Sequence, residues 1–190
     1  MTFDDGSKFG TDLVFMATGR KPYTDGLGLK DAGVGVDGSG AVIVDEFSQT
    51  NVDNIYAVGD VTNRVNLTPV AIREGVAFIE TRFKDNPTAY DHSQIASAVF
   101  TRPPVGTVGL TETQARETFG KNVKVYSTDF RPMKNALSGD PQRVFMKLIT
   151  QGKKETVVGI HLMGDHSGEL IQGLGTVSYT HLTLPTTPYV

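Results

Sequence analysis

The sequence predicts two architectures in succession, an α/β segment and then an α+β segment, and three observations predict them. The run Ile55-Tyr56-Ala57-Val58 leads straight into Gly59 and Asp60. A short unbroken apolar run of this kind fits a strand buried on both faces, as in parallel sheets. Leu67-Thr68-Pro69 then opens a helical pattern whose apolar residues Ile72, Val76, Ile79 and Phe83 trace one helix face. Beyond the polar stretch from Thr88 to Gln94, the pattern changes at Ala96 to shorter strands and helices.

Taken in order, Asp4-Asp5-Gly6-Ser7 is a turn signal, so the first ten residues read as a hairpin end. Leu13-Val14-Phe15-Met16-Ala17 reads as a buried strand that ends at Thr18-Gly19-Arg20. Gly33-Val34-Gly35-Val36-Asp37-Gly38 is a formal match to G-x-G-x-x-G. The dinucleotide fingerprint needs a strand before it and a helix after it. Here a helix-like stretch precedes and the strand Ala41-Val42-Ile43-Val44 follows, so the segment reads as a turn into a β-hairpin.

Thr68 reads as a helix N-cap and Pro69 as the first helical residue, a favoured pairing. The helix 69–83 ends near Lys84-Asp85-Asn86-Pro87, because proline and its predecessor both oppose continuation. In the second segment, Thr111-Glu112-Thr113-Gln114 is a capping box for a helix that Gly120 closes. Val123 to Tyr126, Arg143 to Ile149 and Thr156 to Met163 read as three strands, and a further helix begins near Ser167.

Composition narrows the function. The chain has 190 residues, 38% hydrophobic content, a formal charge of −3 and a pI near 5.8, enough for one large or two small domains. Its basic residues are scattered, which gives no reason to expect a nucleic-acid partner. No apolar run approaches the ~20 residues needed to span a bilayer, and no leader is evident, so the expected setting is cytoplasmic. With no cysteine, the chain has no disulfide staples, thiolate nucleophiles or cysteine metal sites.

Chemistry concentrates at Asp60. In open α/β sheets ligands bind outside the carboxyl ends of the strands, where Asp60 would sit, and Gly59 removes the side chain that would block close approach. An ionised carboxylate only accepts hydrogen bonds, so a sugar-type hydroxyl is its natural target; equally, Asp60 could simply begin a turn. The helix N-terminus beginning eight residues later suits a ligand that develops negative charge.

The four histidines carry no convincing catalytic pattern. Asp165-His166-Ser167 holds triad residue types, but adjacency does not make triad geometry. His161 lies within a predicted strand and reads as structural, while His92 follows the domain boundary and reads as solvated. No pair or trio has metal-ligand spacing, so no metal is expected.

Several motifs together resemble the flavin- and nicotinamide-dependent disulfide reductases. They are Ala17-Thr18-Gly19-Arg20, Thr50-Asn51 with Ile55 to Asp60, Leu67-Thr68-Pro69-Val70-Ala71, Val99 to Glu112, and the run from Tyr126 through Arg131-Pro132-Met133-Lys134 to Gly139. Within that family the pattern is most similar to the glutathione reductases. The resemblance covers about Asp12 to Gly173, less than the second half of a full-length reductase.

The resemblance implies a partial FAD/NAD(P)-binding domain followed by an incomplete dimerisation domain, an antiparallel sheet with helices. The implied divisions are 1–22 (end of the NAD(P)-binding domain), 23–90 (C-terminal segment of the FAD-binding domain) and 91–175 (dimerisation domain). Residues 176–190, threonine-rich with two prolines and no helical period, are expected to be an unrelated, disordered tail. The implied cofactors are FAD and NADPH. Asp60 would hold the ribityl chain of FAD behind Gly59, and Thr68 would direct its backbone N–H toward the flavin carbonyl. Gly19 is carried over as a backbone contact near NADP, or else simply ends a strand. Asn66 and Ala98 would touch the nicotinamide. Where relatives place an arginine for glutathione recognition, this chain has Val76, with Arg73 and Arg64 nearby.

The implied activity passes a hydride from NADPH through FAD and a redox disulfide to oxidised glutathione, in a homodimer joined through 91–175. This chain lacks the cysteine pair. His181, in His181-Leu182-Thr183, lacks the proline and acidic partner of the family's acid/base histidine. The fragment alone is therefore expected to be inactive. The alternatives are a trypanothione, dihydrolipoamide or mercuric reductase, or a non-catalytic dimerisation module.

Overall fold

A computed structural model of the chain describes residues 1–179, with side chains as far as Thr176. The described chain forms two compact units, Met1–Tyr90 and a second that begins at Asp91.

The first unit opens with the predicted hairpin. Thr2 bridges Lys8, and the Asp5 carboxylate accepts the Ser7 N–H at 2.8 Å to close the turn. Leu13 to Met16 are exposed and belong to no strand, contrary to the buried strand expected there. Apolarity makes a strand possible, but only a ladder partner makes it real, and none meets this segment among the described residues. The G-x-G-x-x-G segment is a hairpin as read from the sequence, with Val36 bridging Val42 and the Asp37 carboxylate accepting the N–H groups of Ser39 and Ala41. Ala41 and Val42 are buried beneath it.

The segment Ile55–Val58 is also not the buried strand expected. It is half-buried and carries one isolated bridge, Gln49 to Tyr56. What holds it is the helix that follows, α1 (Thr68–Phe83), through a tilted ring contact of Tyr56 on Phe78 with centroids 4.9 Å apart. A one-turn 3₁₀ helix, Gly59–Thr62, links the two and is closed by Asn63 in the left-handed conformation.

Helix α1 ends at Lys84 as predicted, but its start and its covered face differ from the sequence reading. Leu67, not Thr68, takes the cap position; its carbonyl accepts the N–H groups of Val70 and Ala71, and no side chain caps the helix. Ile72, Val76, Ile79 and Phe83 are exposed, whereas Val70, Glu74 and Ala77 are buried. The buried set repeats with the same helical period, rotated to another face.

The second unit is a five-stranded antiparallel sheet in the order β1 (Ser97–Val99), β2 (Val105–Gly109), β5 (Thr156–Met163), β4 (Val144–Gln151), β3 (Val123–Phe130). Helix α2 (Glu112–Phe119) has the predicted capping box between Thr111 and Gln114 and closes on Gly120. A short helix, α3 (Met133–Ser138), sits in the β3–β4 connection, and α4 (Ser167–Tyr179) packs on β1, β2 and β5. The helix α4 includes 176–179, so the expectation of a disordered tail fails for those four residues; the remainder of that tail, with His181, lies outside the described residues.

Strand alternation sends side chains to two apolar clusters. Val108, Val157, Ile160, Leu162 and Ile171 form one, beneath α4. Ala115, Val123 and Ile149 form the other, beneath α2, with Leu110 and Val158 against it. Val157 and Val158 fall in different clusters, but Val157 shares its cluster with Ile160 and Leu162, so strict period-2 alternation breaks between Val158 and Ile160. The β4–β5 register then shifts, with Ile149 opposite Gly159 and Thr150 opposite Val157, so Val158 is the extra residue of a bulge. At this point backbones nearly touch: a Cβ on Gly159 would lie 2.1 Å from the Leu110 carbonyl oxygen. Gly106 similarly admits α4, since a Cβ there would lie 2.5 Å from the Ser167 carbonyl oxygen.

Candidate functional site

The first unit contains a cavity of about 260 Å³ lined by Arg20, Lys21, Pro22, Tyr23, Asp60, Val61 and Asn66. The sequence leads here through two glycines. Gly19 has φ +91 and Gly59 has φ +73, both in the region that favours glycine. At Gly59 a side chain would also meet Ala71 of α1, with Cβ atoms 3.0 Å apart. The chain can therefore turn tightly against the helix at Gly59 and present Asp60 immediately afterwards.

Asp60 is half-exposed and faces a cationic neighbour, Arg20, at 3.4 Å. Both side chains remain largely solvated, so the attraction between them is weak and the carboxylate stays free to accept other donors. Asn66 lines the same cavity, its amide donating to Asn63 Oδ1 at 3.0 Å. The chemistry of this set is complementary to a hydroxylated, anionic arm: one carboxylate for hydroxyl donors, with Arg20 and Lys21 beside it for negative charge. The cavity's size suits a segment of such a cofactor, not all of it.

Of the residues singled out from the sequence, Asp60, Gly59 and Asn66 are gathered here. Thr68 is exposed as the first residue of α1, where its backbone N–H is among those left without an intrahelical acceptor. Gly19 immediately precedes the lining residue Arg20. Ala98 lies in the second unit, in β1 opposite Gly106. Arg20, Lys21 and Tyr23 were not assigned from the sequence, although Arg20 closes the Ala17-Thr18-Gly19-Arg20 motif.

Sequence reasoning also missed the support behind Asp60. Glu74 is buried at 1% exposure, and its Oε2 accepts the Gly59 N–H at 2.6 Å. Its Oε1 pairs with Arg64 at 2.9 Å, and Arg64 also donates to Ser48 Oγ at 3.0 Å. Arg64 is thus committed to this interior network, while Arg73 and Val76 lie on the exposed side of α1.

Among the described histidines, His161 has a structural role. His161 Nδ1 meets Thr107 Oγ1 at 2.7 Å and Nε2 meets the Leu110 carbonyl at 3.1 Å, which ties β5 to β2 and its exit. Asp165 pairs with Lys134 and with Gln142, and the Ser167 hydroxyl donates to the Gly164 carbonyl at 2.6 Å, so the 165–167 trio forms no relay. His92 is half-buried, not solvated as expected. Among the described residues no helix is long and apolar enough to cross a membrane, and no cluster of His, Asp and Glu could hold a metal ion.

The family model for the pyridine nucleotide-disulphide oxidoreductases matches residues 1–75, and that of the same family's dimerisation domain matches residues 95–186. The chain is 51% identical over 168 residues to a chloroplastic/mitochondrial glutathione reductase from Pisum sativum, covering 88% of this chain and 30% of that protein. It is 49% identical over 176 residues to trypanothione reductase from Trypanosoma congolense (92% and 36%) and 48% over 169 residues to glutathione reductase from Burkholderia cepacia (89% and 37%). It therefore spans about a third of the length of these relatives. Among solved structures, the HOCl-induced flavoprotein disulfide reductase RclA from Escherichia coli superposes with a TM-score of 0.79 at 30% identity, over 88% of this chain and 38% of that one. With both family models in chain order and relatives near half identity, the chain belongs to the pyridine nucleotide-disulphide oxidoreductase family, as a glutathione reductase-like member.

Proposed function

We propose that this chain is the part of an NADPH-dependent glutathione-disulfide reductase that holds the sugar-alcohol arm of FAD and joins two subunits. The observation that carries the reading is Asp60: a half-exposed carboxylate at a cavity wall, directly after a glycine whose backbone is fixed against α1. In this reading Asp60 accepts hydrogen bonds from the ribityl hydroxyls, and Arg20 and Lys21 offset the negative charge of the cofactor's anionic arm. Thr68 directs its N–H to the flavin carbonyl edge, Gly19 approaches NADP through its backbone, and Asn66 and Ala98 contact the nicotinamide. FAD, when bound, supplies the redox chemistry that links NADPH to a disulfide. The residues of this chain bind and orient.

The proposed divisions are 1–22 for the end of the nicotinamide domain, 23–90 for the returning part of the flavin domain and 91–175 for the dimer-forming domain. The complete enzyme is a cytoplasmic homodimer. Its substrate is oxidised glutathione, supported by the glutathione reductases among the relatives. Trypanothione disulfide is the second reading, because trypanothione reductases match nearly as well. NADPH oxidation by the complete reductase, measured with each disulfide in turn, decides between them. Faster turnover of glutathione disulfide is expected; turnover of trypanothione disulfide alone would reverse the assignment.

A further inference from the structure

The glycine before Asp60 is held at both of its polar backbone atoms. Its N–H donates to Glu74 Oε2 at 2.6 Å, and its carbonyl accepts from Thr62 Oγ1 at 2.8 Å. Arg64 joins the two holds, pairing with Glu74 Oε1 at 2.9 Å and donating from Nε to Thr62 Oγ1 at 3.3 Å. The result is a closed ring of hydrogen bonds that runs from the Gly59 amide through Glu74, Arg64 and Thr62 back to the Gly59 carbonyl.

A carboxylate is a costly residue for this position. The rest of the covered face of α1 is Val70 and Ala77, and an apolar side chain would bury there without desolvating a charge. Glu74 offsets that cost because its two oxygens do separate work, one on the backbone and one on Arg64. No neutral apolar residue can accept the Gly59 N–H, and an unpaired buried amide is itself costly. The Gly59 carbonyl belongs to the peptide that carries the Asp60 nitrogen, so fixing it sets the direction in which Asp60 leaves the turn.

We infer that Glu74 is a positioning residue for Asp60: with Arg64 and Thr62 it clamps the Gly59 peptide, and so aims the Asp60 carboxylate into the cavity before any cofactor arrives. The inference rests on the reading of Asp60 as the acceptor for the hydroxyls of FAD. Preorganising a binding group lowers the ordering cost of association, so the clamp acts on affinity for FAD without touching it.

The test uses the complete reductase carrying this segment and compares Glu74→Ala, Glu74→Gln and Asp60→Ala. Two readouts are taken: FAD affinity of the apoprotein by flavin fluorescence, and hydrogen exchange of the Gly59–Asp60 amides in the flavin-free protein. Glu74→Ala is expected to weaken FAD binding roughly tenfold or more and to speed exchange at Gly59, while exchange along the rest of α1 is unchanged. Glu74→Gln keeps an oxygen that can accept the Gly59 N–H, so it should recover much of both signals. Loss of FAD in Asp60→Ala with full retention in Glu74→Ala would overturn the positioning role. Full retention in Asp60→Ala would overturn the reading of Asp60 itself, and the exchange at Gly59 would still report on the clamp. Should Glu74→Ala not fold, Thr62→Val breaks the carbonyl side of the ring and must produce the same two changes.

Discussion

Three glycines show how single residues set this structure. Gly59 needs its positive φ and its missing Cβ together, because Ala71 fills the space a side chain would take. Gly109 and Gly159 sit where β2 leaves the sheet across the bulge in β5, and at each the obstacle to a side chain is a backbone oxygen, which cannot rotate away. We therefore expect Gly159→Ala to destabilise the second unit by about 3 kcal/mol, the upper end of overpacking costs, because the Leu110 carbonyl must move and β2 with it. Urea denaturation of the variant checks this; a loss below about 1 kcal/mol would mean the strands can separate at little cost. The glycines themselves are plain in the sequence. What is not plain is which backbone comes near them, because that partner lies about fifty positions away for Gly159 and is brought there only by the sheet.

At the scale of elements, the legible parts were those whose determinants are local. The Thr111–Gln114 capping box, the stop before Asn86-Pro87, the strand Thr156–Met163 and the hairpin turn at Asp37 all rest on residues within a few positions of one another. Strand β1 has three residues, and β2, Val105-Gly106-Thr107-Val108-Gly109, is glycine-rich, so neither announces itself. Helix α1 shows a different limit. Periodicity identifies a face, but only the packing decides which face is covered, and here it is the one bearing Glu74.

Helix α2 is tied to β4 by charge as well as by packing. Glu112 bonds Lys147 at 2.5 Å and Arg116 at 2.8 Å, and these cations, Lys147 first, hold its carboxyl below the ordinary glutamate value. A group whose pKa is depressed in the folded state contributes stability that is present above its unfolded pKa and lost as pH falls through the folded value. Glu112→Gln should therefore flatten the acid side of the stability curve of the second unit, with little change near neutrality in high salt. Parallel acid curves for the two proteins, measured by circular dichroism, would count against the tie.

For the whole molecule, family membership follows from motifs spread over both units, whereas the site depends on a few residues in the first. The sequence reading singled out Gly59 and Asp60 within a motif and Asn66 beside one, and Asp60 and Asn66 line one cavity. It missed Glu74 and Arg64, whose charges point inward and have meaning only once α1 is laid against the turn at Gly59. The expected strands Leu13–Ala17 and Ile55–Val58 failed for a related reason, since a parallel ladder needs neighbours that do not meet them among the described residues.

In the proposed reading, the Asp60 carboxylate holds the hydroxylated arm of FAD. Calorimetric titration of FAD into the apo form of the complete reductase, wild type against Asp60→Ala, tests it most directly. Loss of a charged acceptor should weaken binding by roughly 1.5–3 kcal/mol, or about 10- to 150-fold in Kd. Equal dissociation constants for the two proteins would contradict the account.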